Sequence, residues 1–353
     1  MWAYRRQSFY APLASTQPIA YNVYIPHSGE HATGKVVPSH RHYSGGFSTI
    51  VQNDLFKNST PTRSIKLLVI DIDGTLLNPE GEITPITLAS VQAAQQAGIV
   101  VTLATARRYC NTARIATEIG LAGPLIIYDG ALIVQHPQGS ILSSRPLQAD
   151  IAQQAVEILV RHAIQPVVHP NDGLEEEVWT GPPELDNLWL DAYFAAYPEK
   201  MRRMPYETLC AGHPDPLRVV AFASEESIQG LIPEVSTLKC SWTMLKRGSF
   251  GSAELAIMDY GCSKASGVAA VAHALNISLA EVMAIGDNNN DIAMLQSVGW
   301  GVAMGQAPEQ VKSAANTVTA SNWEDGVAQA IAHYALRTPR QAFSNSFNRA
   351  TCL

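Results

Sequence analysis

Two short segments of the 353-residue chain place pairs of carboxylates next to apolar residues. In DIDGTLL, Asp71 and Asp73 follow an apolar run that begins at residue 65. In GDNNND, Asp287 and Asp291 enclose three asparagines after a second apolar run. Carboxylates are costly to bury unless a cation or hydrogen-bond donors neutralise them. Such pairs therefore indicate a bound cation, or a division of labour between one ionised carboxylate and one acid.

The spacing of these acids excludes a calcium-binding EF-hand loop. With Asp71 at position 1, Asp73 and Glu82 fall at positions 3 and 12, but position 6 is Leu76 where the loop requires glycine. The second segment has Ile292 at position 6 and fails in the same way. Each pair by itself is also compatible with simple capping at the end of a strand, so the other elements must decide.

Alternating apolar and amphipathic segments predict strands and helices that position these acids. The helix after residue 84 has Thr84 as its N-cap, Pro85 at N1 and Gly98 just past its end, and Ser263 is the predicted N-cap of a later helix. Continuous apolar runs predict buried strands, which are 65–73, 99–105, 124–130 and 281–287. This strand–helix alternation predicts a parallel sheet with right-handed crossovers.

Three of the predicted strands end in polar residues. Asp71 and Asp73 end the first, Thr105 the second and Asp287 the last. The carboxyl ends of parallel strands meet at one edge of an open sheet, where ligands bind. We therefore expect these side chains to converge at one site, with Asp71 and Asp73 on the same face of an extended chain.

The predicted fold class is α/β, with a Rossmann-like parallel sheet covered by helices on both faces and an inserted α+β domain. The pattern assigns 63–145 and 256–338 to the sheet domain and 146–255 to the insert, which would act as a lid. Residues 1–62 are rich in Ser, Pro, Tyr and His and predict a disordered extension, and 339–353 form a predicted C-terminal tail.

Composition limits the classes of partner. A net charge of −7 argues against nucleic acid, and no apolar run approaches the ~18 residues of a membrane span. The five cysteines are scattered and lack a C-x-x-C pair, which indicates free thiols in a reducing compartment. We predict a cytoplasmic protein, monomeric or homodimeric, with organelle import through the N-terminal extension as the alternative location.

Four segments together resemble the motifs of the haloacid dehalogenase-like (HAD) superfamily. These are DIDGTLL, TLATAR, the Ser-Lys pair at 263–264 and GDNNND, in this order. An insert between the second and third motifs resembles the Cof-type branch (subfamily IIB, with a C2-type cap), whose members are Mg²⁺-dependent phosphatases of sugar and metabolite phosphates. The resemblance covers residues 63–338.

The resemblance implies a role for each motif residue. Asp71 would attack phosphorus to form an aspartyl-phosphate, and Asp73 would protonate the leaving oxygen and later activate water. Mg²⁺ would be bound by Asp71, Asp287 and the backbone carbonyl of Asp73, with Asp291 in support. The substrate phosphate would be contacted by Ile72, Thr105, Lys264 and Asn290.

Two residues depart from the family pattern. Ala106 stands where glycine commonly follows the threonine of the second motif, and Asp129 stands in YDGA where asparagine is usual. A Cβ atom at residue 106 would restrict the backbone and the approach of a phosphate. A carboxylate at residue 129 would lower the affinity for phosphate or change the preferred substrate.

The predicted function is a Mg²⁺-dependent phosphomonoesterase that acts on a small phosphorylated metabolite such as a sugar phosphate. A phosphotransferase or mutase of the same fold is an alternative, because an aspartyl-phosphate can pass to an alcohol as well as to water. A catalytically weak metabolite-binding protein and a phospho-receiver-like protein are further alternatives. Receiver domains lack a lid and need no acid two residues after the phosphorylated aspartate, so Asp73 and the insert argue against the last of these.

Overall fold

The computed structural model describes residues 60–196, 200–246, 248 and 250–336. The predicted disordered extension up to residue 59, and the predicted C-terminal tail, lie outside these residues. Across the described part of the chain, none of the helices combines the length and apolar character needed to span a bilayer.

The described strands are β1 Leu67–Ile70, β2 Val100–Leu103, β3 Gly123–Ile127, β4 Leu132–His136, β5 Ser140–Ser144, β6 Pro166–His169, β7 Val178–Thr180, β8 Met201–Arg203, β9 Arg218–Ala223, β10 Cys240–Leu245, β11 Ala253–Asp259, β12 Val282–Gly286, β13 Trp300–Ala303 and β14 Thr317–Val318. The α-helices are α1 Pro85–Gln96, α2 Tyr109–Glu118, α3 Ala149–Arg161, α4 Leu188–Ala196, α5 Glu225–Val235, α6 Lys264–Ala274, α7 Ile292–Ser297, α8 Glu309–Ala314 and α9 Gly326–Ala330.

The first sheet is parallel throughout, as predicted, and has the order β14-β13-β12-β1-β2. Successive residues of β1 point to opposite faces. Leu68 and Ile70 pack in one apolar cluster with α1, α2 and α9, whereas Leu67 and Val69 pack in another with α6, α7 and α8. Helices therefore cover both faces of the sheet, which is why its central strands are apolar along their whole length.

The predicted N-termini of two helices are confirmed. Thr84 caps α1 by accepting a hydrogen bond from the Thr87 amide at 3.1 Å, with Pro85 as the first helical residue. Ser263 caps α6 by accepting from the Ser266 amide at 3.2 Å. Because Lys264 is the first residue of α6, this cap fixes the position of the backbone that carries the Lys264 side chain.

The inserted domain is built on a six-stranded sheet with the order β10-β11-β9-β6-β7-β8. Helices α3 and α5 pack on one face of this sheet and share one apolar cluster. Helix α4 packs on the other face in a second apolar cluster. Strand β11 runs through the predicted domain boundary at residue 255, so the limits 146 and 255 stay a prediction. A third, antiparallel sheet contains β3, β4 and β5. Strand β3 also pairs once with the residue that follows β2, through a parallel bridge between Ile126 and Ala104.

Candidate active site

The carboxyl edge of the parallel sheet brings the predicted residues together. Strands β12, β1 and β2 are neighbours, with Ile70 opposite both Ile285 and Leu103. Asp71 follows β1 directly, Asp287 follows β12 directly, and Thr105 lies two residues past the end of β2. The convergence expected from three separate strand ends is therefore observed.

Strand β1 ends earlier than predicted, and the two acids of DIDGTLL differ in exposure. The strand stops at Ile70, and residues 72–76 form a tight helical turn closed by a 3.0 Å hydrogen bond from the Leu77 amide to the Ile72 carbonyl. Asp71 is buried, whereas the side chain of Asp73 is 53% exposed. The expectation that both lie on an extended strand was wrong, because the strand ends at Ile70 and residues 72–76 form a turn. Ile72 is fully buried, and its expected contact with the substrate phosphate stays a prediction.

Lys264 lies in the middle of a buried carboxylate cluster. Its Nζ atom is 2.6 Å from Oδ1 of Asp71 and 2.7 Å from Oδ1 of Asp291, and its side chain is 2% exposed. Asp291 also accepts hydrogen bonds at 3.0 Å from the backbone amides of Asp287 and Asn288. Asp291 therefore holds both the lysine and the loop that carries Asp287.

The charges in this cluster perturb one another strongly. Burial raises the pKa of Asp71 well above its usual value; Lys264 opposes this shift, and Asp291, Asp287 and Asp73 add to it. Burial and the nearby Asp291 raise the pKa of Asp287 to about 7, although Thr75 donates a 2.8 Å hydrogen bond to it. For Lys264, burial alone lowers the pKa, but the carboxylates of Asp291 and Asp71 outweigh it and the net shift is upward. One lysine thus leaves negative charge in excess.

This excess negative charge fits a bound divalent cation. Carboxylate oxygens of Asp71, Asp287 and Asp291 lie within 4.8 Å of one another. An all-oxygen set of this kind suits Mg²⁺, which is a hard cation, and does not suit a soft metal. A cation at this position would also reverse the pKa shifts of Asp71 and Asp287, because it favours their ionised forms.

Thr105, Asn290 and Asp129 lie together beside this cluster. Thr105 is buried, and its Oγ1 accepts a 3.1 Å hydrogen bond from the Arg107 amide. Asn290 donates from Nδ2 to Oδ1 of Asp129 at 2.9 Å, and Asp129 lies within 3.9 Å of the Arg218 guanidinium. The carboxylate that departs from the family pattern is therefore buried against an amide and an arginine.

The other departure, Ala106, brings no backbone strain. Six non-glycine residues of the described chain have a positive φ, and Ala106 is not among them. Ala106 is one of the residues that line the active-site cavity. No positive φ is therefore required at residue 106, and the expected effect of its Cβ atom on the approach of a phosphate stays a prediction. Asp129, in contrast, has a φ of 52°, a conformation that Asn and Asp tolerate better than most residues.

Arg107 was missed by the sequence reasoning, although it belongs to the TLATAR segment. Its guanidinium makes a bidentate ion pair with Asp73, with Nη2 at 2.6 Å from Oδ1 and Nε at 2.8 Å from Oδ2. Such paired contacts orient a carboxylate firmly. The signal that could have found it was an arginine two residues after the polar end of a neighbouring strand. For Asp73 to donate a proton, this ion pair must open.

A cavity of about 500 Å³ lies over the carboxylates. Asp73, Gly74, Ala106 and Asp287 line it from the parallel-sheet domain, and β9 of the inserted domain lines it as well. Arg108 links the two domains beside this cavity, because it donates to the Tyr193 hydroxyl and, at 3.1 Å, to the Glu176 carbonyl. The inserted domain therefore helps to enclose the space above the carboxylates.

Gly74 is a sensitive position in this site, and we predict that Gly74→Ala lowers kcat/KM by about 10²-fold. Its φ is +78°, and a Cβ atom there would lie 2.5 Å from Oδ2 of Asp287, so the carboxylate must move. Gly81→Ala is the matched control, because Gly81 has a φ of +79° and nothing within 4 Å of an added Cβ. Steady-state kinetics of both variants show whether a loss of kcat/KM comes from the displacement of Asp287 or from backbone strain at a positive φ. Equal losses in the two variants would contradict the predicted contact.

The sequence matches a family model for haloacid dehalogenase-like hydrolases over residues 68–331. Among curated proteins, it is 30% identical over 275 residues to the 5-amino-6-(5-phospho-D-ribitylamino)uracil phosphatase YcsE of Bacillus subtilis. This alignment covers 77% of this chain and 96% of YcsE. It is 28% identical over 281 residues to YitU, a phosphatase of the same name from the same organism, over 76% of this chain and 97% of that one.

Solved structures agree with the fold. The HAD subclass IIB sugar phosphatase BT4131 superposes with a TM-score of 0.65 at 24% identity, over 76% of this chain and 98% of that one. At this identity the likeness concerns the fold alone. The fold is thus shared with a protein of known structure.

Proposed function

The chain belongs to the haloacid dehalogenase-like hydrolase family, and on that basis we propose that it is a Mg²⁺-dependent phosphomonoesterase. Its substrate would be a small phosphorylated metabolite, such as a sugar phosphate, and the phosphoryl group would pass through Asp71 to water. The similar curated proteins support this proposal, since YcsE and YitU are named as phosphatases of a phosphoribityl compound.

The observation that carries the proposal is the position of Asp71. Its carboxylate is buried at the carboxyl edge of the sheet and paired with Lys264 at 2.6 Å, and the pKa of the neighbouring Asp287 is raised to about 7. A carboxylate that only capped a strand would need neither a buried lysine nor a second and third carboxylate within 4.8 Å. This arrangement is suited to a group that must approach a phosphate dianion.

The proposed reaction proceeds in two displacements. An oxygen of Asp71 attacks phosphorus, the bond from phosphorus to the leaving oxygen breaks, and Asp73 supplies the proton that this oxygen needs. Asp73 then takes a proton from water as the water attacks the same phosphorus. The bond to Asp71 breaks, inorganic phosphate leaves, and both acids return to their starting states.

Charge neutralisation is the main demand of the first step. A general acid accounts for about 10²–10⁴-fold, whereas monoester hydrolysis can require close to ~10²¹-fold acceleration. Most of the rate must therefore come from positioning and electrostatics. Lys264, paired with Asp71 at 2.6 Å, would offset the repulsion between Asp71 and the phosphate. Thr105 and Asn290 would contact phosphoryl oxygens.

Mg²⁺ would be held by Asp71, Asp287 and the backbone carbonyl of Asp73, and when bound it would neutralise charge on the phosphoryl oxygens. Asp291 would act through its contacts to Lys264 and to the Asp287 amide. We further propose that the insert between residues 146 and 255 selects the leaving group, because β9 lines the cavity over the carboxylates.

Release of inorganic phosphate tests this function directly. A panel of sugar phosphates, nucleotides and cofactor phosphates is incubated with the protein in Mg²⁺, in EDTA, and in EDTA followed by excess Mg²⁺. We expect release from at least one sugar or metabolite phosphate, loss of release in EDTA and recovery with Mg²⁺. Release that is indifferent to the chelator, or no release from any member of the panel, would refute the proposal.

A further inference from the structure

One strand of the inserted domain supplies a wall of the active-site cavity. Arg218, Val220 and Phe222 are alternate residues of β9, so their side chains point to the same face of the six-stranded sheet. All three line the cavity of about 500 Å³ that Asp73 and Asp287 also line. A substrate held at the carboxylates would therefore also meet this face of β9.

The guanidinium of Arg218 is buried but short of hydrogen bonds. The residue is 4% exposed, and its Nε and Nη1 atoms have no hydrogen-bond partner among the described residues. Nη1 lies 3.9 Å from Oδ2 of Asp129, which is too long for a hydrogen bond. The Cζ atom lies 4.8 Å from the centre of the Tyr128 ring. A buried charge with unused donors costs free energy, which a ligand that accepts from those donors would recover.

From this geometry we infer that Arg218 binds a second anionic group of the substrate, separate from the phosphoryl group that reacts at Asp71. The inference rests on the proposed phosphatase function and narrows its substrate class to phosphorylated metabolites that also carry a carboxylate or another phosphate. A planar guanidinium matches two oxygens of either group, and such charge-assisted hydrogen bonds are about twice as strong as neutral ones.

Two acidic neighbours influence this binding. Glu254 lines the same cavity, and burial raises the pKa of its carboxyl while Arg218 opposes that shift. A raised pKa makes protonation of Glu254 easier, which weakens its repulsion of an incoming anion. The carboxylate of Asp129 lies near the guanidinium of Arg218 and partly balances its charge. Its Oδ1 atom already accepts a hydrogen bond from Asn290. The competing explanation is that Arg218 serves only as the counterion of buried Asp129.

A matched pair of ligands tests the inference. Phosphogluconate and sorbitol phosphate share a linear six-carbon chain and differ in a terminal carboxylate or hydroxymethyl group. Calorimetry in the Asp71→Asn background with Mg²⁺ gives the ratio of their dissociation constants without turnover. We expect a preference for phosphogluconate of about tenfold or more. Arg218→Met should abolish this preference, and Arg218→Lys should retain part of it. Arg202→Met, at an exposed arginine of β8, should leave it unchanged.

Equal affinity for the two ligands in the Asp71→Asn protein, or no binding of either, would overturn the inference. So would an equal loss for both ligands in Arg218→Met, which is the result expected of a mere counterion to Asp129. If Arg218→Met is unfolded by circular dichroism, Arg218→Gln carries the same test, since it keeps a donor without the charge. Failure of the proposed function would give a different result. The wild-type protein would then release no phosphate from any substrate, including p-nitrophenyl phosphate, whatever the ratio of the two dissociation constants.

Discussion

Asp71→Asn should lower kcat by about four orders of magnitude or more, since loss of a nucleophile removes the covalent step entirely. The amide is nearly the same size as the carboxylate, so the fold should persist. Its loss of charge also weakens the contact to Lys264, which lies 2.6 Å from Oδ1. Kinetics with saturating substrate and Mg²⁺ measure the effect, with circular dichroism to verify the fold.

Asp191→Asn is the control for this substitution, because Asp191 is an exposed aspartate in α4 and lies in no part of the carboxylate cluster. It should keep wild-type kcat. Turnover by Asp71→Asn within tenfold of wild type would remove Asp71 from the role of nucleophile, whatever the result for the control.

Lys264→Met should damage both activity and stability. Lys264 is 2% exposed and contacts Asp71 and Asp291, which are also buried, so its loss leaves two carboxylates without their cation. Removing one partner from a buried ion pair typically costs about 3–5 kcal/mol. We expect a fall of this size in the free energy of unfolding, measured with urea, and loss of phosphatase activity because the repulsion between Asp71 and phosphate is no longer offset.

The comparison for this variant is Lys239→Met, at an exposed lysine, where both quantities should stay close to wild type. A Lys264→Met protein as stable and as active as wild type would mean that the buried lysine neither holds the acids together nor assists the reaction. Stability lost with full activity retained in the folded fraction would leave Lys264 a structural role alone.

The edge of the sheet that carries the acids could be predicted because its signals are local. Thr84 and Ser263 cap helices as their types indicate, and the apolar runs before Asp71 and Asp287 form neighbouring parallel strands. Parallel topology then requires the strand ends to meet. These rules need only residue type and spacing, and both are visible in the sequence.

The partners across the site could not be predicted in the same way. That Arg107 would pair with Asp73, or that Arg218 would lie near Asp129, depends on side-chain direction and on how the insert sits over the sheet. Neither follows from periodicity. The early end of β1 was missed for a related reason: residues 65–73 read as one apolar run, but hydrogen bonds of the turn after Asp71 end the strand at Ile70.

Transfer of a phosphoryl group to Asp71 is the central step of the proposed mechanism. The decisive measurement is acid quenching during turnover with Mg²⁺, followed by peptide mass spectrometry of the segment that contains residues 65–77. We predict a phosphoryl group on Asp71 that is absent without substrate and disappears when substrate is exhausted. Sustained turnover with no phosphorylated form of this peptide at any quench time, or a phosphoryl group on another residue, would contradict the mechanism.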